Sequence, residues 1–161
     1  MINLRPATPA DLERVYQLFK GIIDEEVYFA YDHQTTREQI EASWVNLNNM
    51  VYVAEQDGVV IGAYIVKPNQ PGHGAHIANA AYMVDPAHRS GGIGKLLGEH
   101  SLVKAREAGY RGMQYNIVVS TNTGAVRLWQ KLGFEIIGTI PRGFHHREMG
   151  YVDFHIMFKS L

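Results

Sequence analysis

The chain has 161 residues, 46% hydrophobic and 19% charged, enough to bury a sizeable core in one domain spanning 1–161. A formal net charge of −1 with no basic cluster argues against a nucleic-acid binder, and the lack of cysteine excludes disulfides, thiolate metal sites and cysteine nucleophiles. The opening Met1-Ile2-Asn3-Leu4-Arg5-Pro6 lacks a leader's apolar core, and no run approaches the ~18 apolar residues of a membrane span, which predicts a cytoplasmic protein without membrane contact.

Ile2 to Ala7 reads as a first strand. Thr8 then caps a helix with Pro9 at its first position and Asp11 near the positive end of the dipole, and Leu12, Val15, Phe19 and Ile22 recur on one face. Past Gly21 the periodicity loosens, and Tyr28, Phe29 and Tyr31 sit among acidic residues, either lining a substrate entrance or packing under a loop. Thr36-x-x-Gln39 is a capping box that opens a short second helix with Ile40, Trp44 and Leu47 on one side. Val51 to Gln56 and Val59 to Val66 flank Asp57-Gly58, the signature of a two-residue hairpin turn. His76 to Val84 is the next strand. A helix follows from about Ile93 to Ala108, closed by Gly109, and then a strand from Gln114 to Ser120. A short helix over Ala125 to Leu132 ends at Gly133, Phe134 to Thr139 is a strand, Pro141 to Gly150 a polar loop, and Tyr151 to Lys159 the last strand. The order β-α-α-β-β-β-α-β-α-β-β implies an α/β (α+β) protein with a mixed sheet flanked by helices.

Between the strand ending at Val84 and the helix starting near Ile93 lies Asp85-Pro86-Ala87-His88-Arg89-Ser90-Gly91-Gly92-Ile93-Gly94-Lys95. A glycine-rich turn feeding a helix start presents free N–H groups to an anion, and a phosphate or pyrophosphate is the natural occupant. A P-loop is excluded because Leu96 follows Gly94-Lys95 where Ser or Thr would bind Mg²⁺, and the dinucleotide fingerprint fails because the glycines read Gly91-Gly92-x-Gly94. Arg-x-x-Gly-x-Gly does fit, at Arg89, Gly92 and Gly94. Some 30 residues on, Asn122-Thr123-Gly124-Ala125-Val126-Arg127-Leu128-Trp129-Gln130-Lys131-Leu132-Gly133-Phe134 forms a second segment.

Together these motifs resemble the GNAT superfamily of acyl-CoA N-acetyltransferases over essentially the whole chain. The resemblance implies a seven-stranded mixed sheet with about four helices, strands 4 and 5 splayed, and acetyl-CoA as cosubstrate without a metal. It places the pyrophosphate on backbone N–H groups of Arg89, Ser90, Gly91, Gly92, Ile93, Gly94 and Lys95. The pantetheine arm would lie between Tyr82, Met83 and Val84 on one strand and Ile117 to Ser120 on the other, with a main-chain N–H near Met83 facing the thioester oxygen. Asn122 matches a carrier contact, and Trp129 stands where many relatives use a Tyr to protonate the leaving thiolate. Indole has no usable acidity, so Trp129 packs on the carrier and the proton must come from Tyr82, Tyr115, Tyr151 or water.

Asn79 and Asn116 interrupt apolar strands of the splayed pair, where an unpaired amide is costly; they either satisfy each other or face substrate. Asn79, Asn116 and Asn122, with Gly138-Thr139-Ile140-Pro141 and Gly150-Tyr151-Val152-Asp153, resemble a subgroup that includes fungal acetyltransferases of proline analogues. That implies catalytic or substrate contacts for both strand asparagines and a small amino-acid-like amine as acceptor, in a pocket around Tyr28, Phe29 and Phe144. His76, Glu26, His145 and His146 are the candidate bases, while His145-His146-Arg147-Glu148 matches no metal motif. Such folds commonly form homodimers. The alternatives are an acyl-CoA-binding module with little turnover, or an enzyme acting on protein N-termini or lysines.

Overall fold

The computed structural model describes all 161 residues. Its strands are β1 (Ile2–Pro6), β2 (Met50–Gln56), β3 (Val59–Pro68), β4 (Ile77–Val84), β5 (Gly112–Val119), β6 (Glu135–His146) and β7 (Gly150–Ser160). Its helices are α1 (Leu12–Glu25), α2 (Arg37–Ser43), α3 (Ile93–Glu107) and α4 (Thr123–Lys131). The strands form one sheet in the order β1-β2-β3-β4-β5-β7-β6, antiparallel throughout except for the β4–β5 pair. No helix is long and apolar enough to cross a membrane.

The sheet is covered on both faces, so its central strand β3 is apolar without alternation. Ala63 and Ile65 pack with Val15, Phe19 and Ile23 of α1 and Ile40 of α2. Tyr64 and Val66 enter the opposite cluster with Leu97 and Ala105 of α3 and Trp129 of α4. The hairpin between β2 and β3 turns at Asp57 (φ 51°) and Gly58 (φ 78°), the left-handed pair that a two-residue turn of this hand requires.

Three local expectations are corrected. Thr8 caps a short 3-10 turn, Pro9–Asp11, and α1 proper starts at Leu12; the capping box closes between Thr8 and Asp11, whose carboxylate also takes Arg5 at 2.8 Å. The second helix stops at Ser43, and Leu47 beyond it is exposed. The stretch Pro141 to Gly150 is no loop: β6 continues to His146 and turns tightly into β7. Proline is tolerated because β6 is the edge strand, where a missing N–H breaks no ladder. The register shifts between Ile140 and Phe144, with Arg142 at φ 52° and its N–H on Asp153 Oδ1 at 2.9 Å. A Cβ at Gly143 would lie 2.5 Å from the Phe154 ring, so this bulge needs glycine.

Candidate functional site

β4 and β5 run side by side only at Ile77↔Gly112 and Ala78↔Met113 and then part. Asn79 Oδ1 accepts from the Ala80 N–H at 2.8 Å, so the next β4 amide turned toward β5 is satisfied by a side chain instead of by the neighbouring strand.

Three main-chain bonds fix which β4 groups face the opening. The His76 carbonyl accepts from Arg111 just before β5, the Ile77 carbonyl accepts from Asn69 beyond β3, and the Asp85 N–H donates to Ile61 of β3. The β3–β4 register is unbroken in between, and main-chain groups alternate sides along a strand. Ala80, Tyr82 and Val84 therefore turn their N–H groups into the gap. Met83, expected to face it, turns its N–H to Ala63 of β3 and buries its side chain on the α1 side; the expectation erred by one residue, which in a strand is the opposite edge.

The gap widens into a cavity of about 560 Å³ whose wall includes Val84, Arg89, Ser90, Gly92, Ile93, Gly94, Asn122 and Trp129. Ser90 and Gly92 adopt φ of 72° and 76°, curling the chain just before α3. The main-chain N–H groups from Ser90 to Lys95 have no partner within the chain; the helical ladder begins only with Leu96 donating to Gly92. Together they form a concave row of donors at a positive helix end, a cradle for an anion.

Glycine is not required at position 94 by packing or by conformation. Its φ is ordinary, and a Cβ there would meet only Leu128 Cδ2, at 3.7 Å. What the missing side chain leaves free is close approach to the amides. His88 Nδ1, on the same wall, is buried without a partner.

The two cationic side chains flanking the cradle have carboxylate neighbours of their own. The Arg89 guanidinium makes a two-pronged contact with Glu25 at the end of α1, Nη1 to Oε2 at 3.0 Å, and lies 5.9 Å from the Tyr28 ring. Lys95 lies 3.7 Å from Glu99 and, like Gly91, is not part of the cavity wall. Asn122 caps α4 through the Ala125 N–H at 3.3 Å while lining the cavity.

Trp129 is 8% exposed, its ring 4.7 Å from Tyr82 and 4.8 Å from Tyr115. The Tyr82 hydroxyl bonds to Ser101 Oγ and to the Tyr115 hydroxyl, each at 2.7 Å. Burial pushes the Tyr82 phenol up to about 12 and the Tyr115 phenol well above its ordinary value, so both stay protonated at neutral pH. Of the three tyrosines considered as acids, these two line the cavity. Tyr151 instead stacks on His145 in the β6–β7 ribbon.

A second cavity, about 290 Å³, adjoins the first through Tyr28, Phe29, Ala80, Ala81, Tyr115 and Ile117. Asn79 and Asn116 both line it but do not bond each other. Asn116 Nδ2 donates to Asn69 Oδ1 at 2.7 Å and Asn116 Oδ1 accepts from Gln114 at 3.0 Å. Phe144 is absent from both cavities. It is paired opposite Val152, because the segment that carries it is strand rather than loop. Phe19 and Trp44, which periodicity assigned to the core, complete the aromatic wall together with Tyr31. His76, Glu26, His145 and His146 line neither cavity. No set of His, Asp and Glu side chains gathers to hold a metal ion.

The profile of the Acetyltransferase (GNAT) family matches residues 12–134. A GCN5-related N-acetyltransferase from Kribbella flavida is 40% identical, with a TM-score of 0.93 over 99% of this chain and 98% of that one. N-acetyltransferase aca1 of Schizosaccharomyces pombe is 40% identical over 98 residues, which are 60% of this chain and 47% of that protein, so the match spans about half of that relative. The structure of yncA, a putative acetyltransferase from Salmonella typhimurium with its cofactor acetyl-CoA, shares the fold at a TM-score of 0.84 and 22% identity, covering 100% of this chain and 94% of that one.

Proposed function

The chain belongs to the Acetyltransferase (GNAT) family, and on that premise we propose that it transfers an acetyl group from acetyl-CoA to the nitrogen of a small-molecule amine. The observation that carries this reading is a row of unpartnered amides, Ser90 to Lys95, at the mouth of a breach between two parallel strands, with a second cavity opening off it.

In this reading the cradle holds the diphosphate and the breach holds the pantetheine arm. The arm takes the strand pairing that β4 and β5 forgo, against the N–H groups of Tyr82 and Val84. Acetyl-CoA supplies an activated acyl carbon; the protein supplies position and charge stabilisation. The Tyr82 or Val84 amide faces the developing oxyanion, a donor fixed in place before reaction. Orientation of the two reactants contributes up to about 7–11 kcal/mol. The amine lone pair forms the new C–N bond, the C–S bond breaks, and the proton shed by the amine balances the one the departing thiolate takes up. The Tyr115–Tyr82–Ser101 chain lies beside Trp129, where the leaving sulfur has no tyrosine of the usual kind.

Trp129 favours one competing reading, a domain that binds the carrier without turnover. Two measurements separate the readings. Acetyl-CoA raises the melting temperature under either, whereas free thiol release in the presence of an amine panel occurs only if the chain is an acetyltransferase. A panel without thiol release, alongside clear thermal stabilisation, refutes transfer to a small-molecule amine.

A further inference from the structure

Resting on the placement of the diphosphate proposed above, we infer that His88 is a carrier-binding residue whose imidazole joins the cradle as a cation, taking up a proton as acetyl-CoA seats. Acetyl-CoA affinity is thereby linked to pH through one side chain. The residue lines the carrier cavity beside Arg89, Ser90, Gly92 and Gly94.

His88 hangs from a fixed point. It ends the 3-10 turn, Pro86–His88, that joins β4 to the cradle, and its N–H donates to the Asp85 carbonyl at 2.8 Å. Asp85 caps that turn, Oδ1 accepting from the Ala87 N–H at 2.9 Å, while Oδ2 takes the Arg14 guanidinium of α1. Arg14 in turn donates from Nε to the Val60 carbonyl of β3 at 3.1 Å. The backbone of the turn is therefore tied to a helix and a central strand, and the ring is left to adjust.

A neutral ring leaves a defect. Nδ1 is shut away from solvent without a partner, 4.0 Å from Asp85 Oδ1, beyond hydrogen-bond reach. In either tautomer that atom is an unused donor or an unused acceptor, and both are costly when buried. An imidazolium removes the defect. Both nitrogens then carry protons: Nδ1–H closes on Asp85 Oδ1 by about 1 Å, and Nε2–H is left for a phosphate oxygen. The side chain is 39% exposed, which gives it room for that shift.

The charged groups around the ring are Asp85 and Arg89 on its own segment and Arg14 and Glu25 on α1, and they cancel as two ion pairs, Arg14 with Asp85 and Arg89 with Glu25. Lys95 of α3 is near Glu99 and outside the cavity wall. The remaining titratable groups of that wall are the phenols of Tyr28, Tyr82 and Tyr115. A diphosphate seated on amides that begin at Ser90 adds two negative charges to this balanced surrounding. His88 is the one group on the wall able to gain a positive charge near neutral pH.

The test is calorimetric titration with acetyl-CoA at pH 7 in PIPES and in imidazole, whose different ionisation enthalpies count the protons taken up, with Kd measured at pH 6 and pH 8. The same titrations of His88→Gln, which keeps an N–H donor but cannot become a cation, cancel the titration of the carrier's own 3′-phosphate. The variant should take up about half a proton fewer, and the gain in affinity from pH 8 to pH 6 should be about five- to tenfold larger in the unsubstituted protein. Dephospho-CoA, lacking the phosphate that titrates near about pH 6, should show the same half-proton uptake with no substitution at all. Equal proton counts for the two proteins, or no uptake with dephospho-CoA, overturn the inference and leave acetyl-CoA binding standing. Absence of both binding heat and thermal stabilisation with acetyl-CoA overturns instead the reading on which it rests.

Discussion

Replacing Gly94 with Ala separates fold stability from carrier binding. The residue stands at the second position of α3 with ordinary φ, and the new Cβ would touch only Leu128 Cδ2 at 3.7 Å, so the fold accepts it without strain. Gly to Ala within a helix gains about 0.5–1 kcal/mol, which for a chain of this size raises the melting temperature by about 1–4 °C. The same methyl stands where a diphosphate oxygen would approach the amides. Loss of one hydrogen bond to a charged group costs about 1.5–3 kcal/mol, or a ten- to roughly 150-fold rise in Kd for acetyl-CoA. At saturating ligand the stabilisation by acetyl-CoA then shrinks by the same energy, about 3–12 °C less shift. Thermal melts with and without acetyl-CoA, plus calorimetric titration, measure both halves. A raised melting temperature with unchanged acetyl-CoA affinity would refute the placement of the diphosphate.

Two other outcomes test separate parts of the reasoning. Asn116→Ala releases Asn69 and Gln114 and loosens the acceptor wall, so kcat/KM for the amine should fall at least about tenfold while acetyl-CoA affinity stays within about twofold; equal activity would make Asn116 purely structural. The Asp11 carboxyl is held well below the usual carboxylate range, chiefly by its hydrogen bond from Arg5. A depressed folded-state pKa means stability that is complete above the unfolded value near about 4 and is lost as pH falls toward the folded one. Asp11→Asn should therefore cost about 1–3 kcal/mol in urea melts at pH 7 and flatten the decline between pH 5 and 3. Parallel pH curves for the two proteins would refute that assignment.

Local rules made much of the molecule legible before any coordinates. The Asp57-Gly58 turn, the capping box at Thr36 and the glycine stop at Gly133 each depend on dihedral angles and donors within a few residues, which a sequence displays directly. The edge strand around Pro141 is not legible locally, because proline breaks a strand only where its N–H would be needed, and edge position is set by the whole sheet. Phe144 sits in that strand, opposite Val152, for the same reason. The aromatic wall was half visible: Tyr28, Phe29 and Tyr31 stood out in an aperiodic stretch, whereas Phe19 and Trp44 carry helical spacing and look like ordinary core. Main-chain direction at Met83 and Tyr82 was beyond sequence reach, because it depends on register with β3.

The anion cradle of α3 is built from backbone, and its one flanking guanidinium is engaged by Glu25. A codon change at 95, whose exposed side chain lies outside the cavity wall, leaves such a grip intact, so that position is open to drift. Gly92, at φ 76°, is not: there the backbone itself is the heritable trait, and almost any replacement bends it.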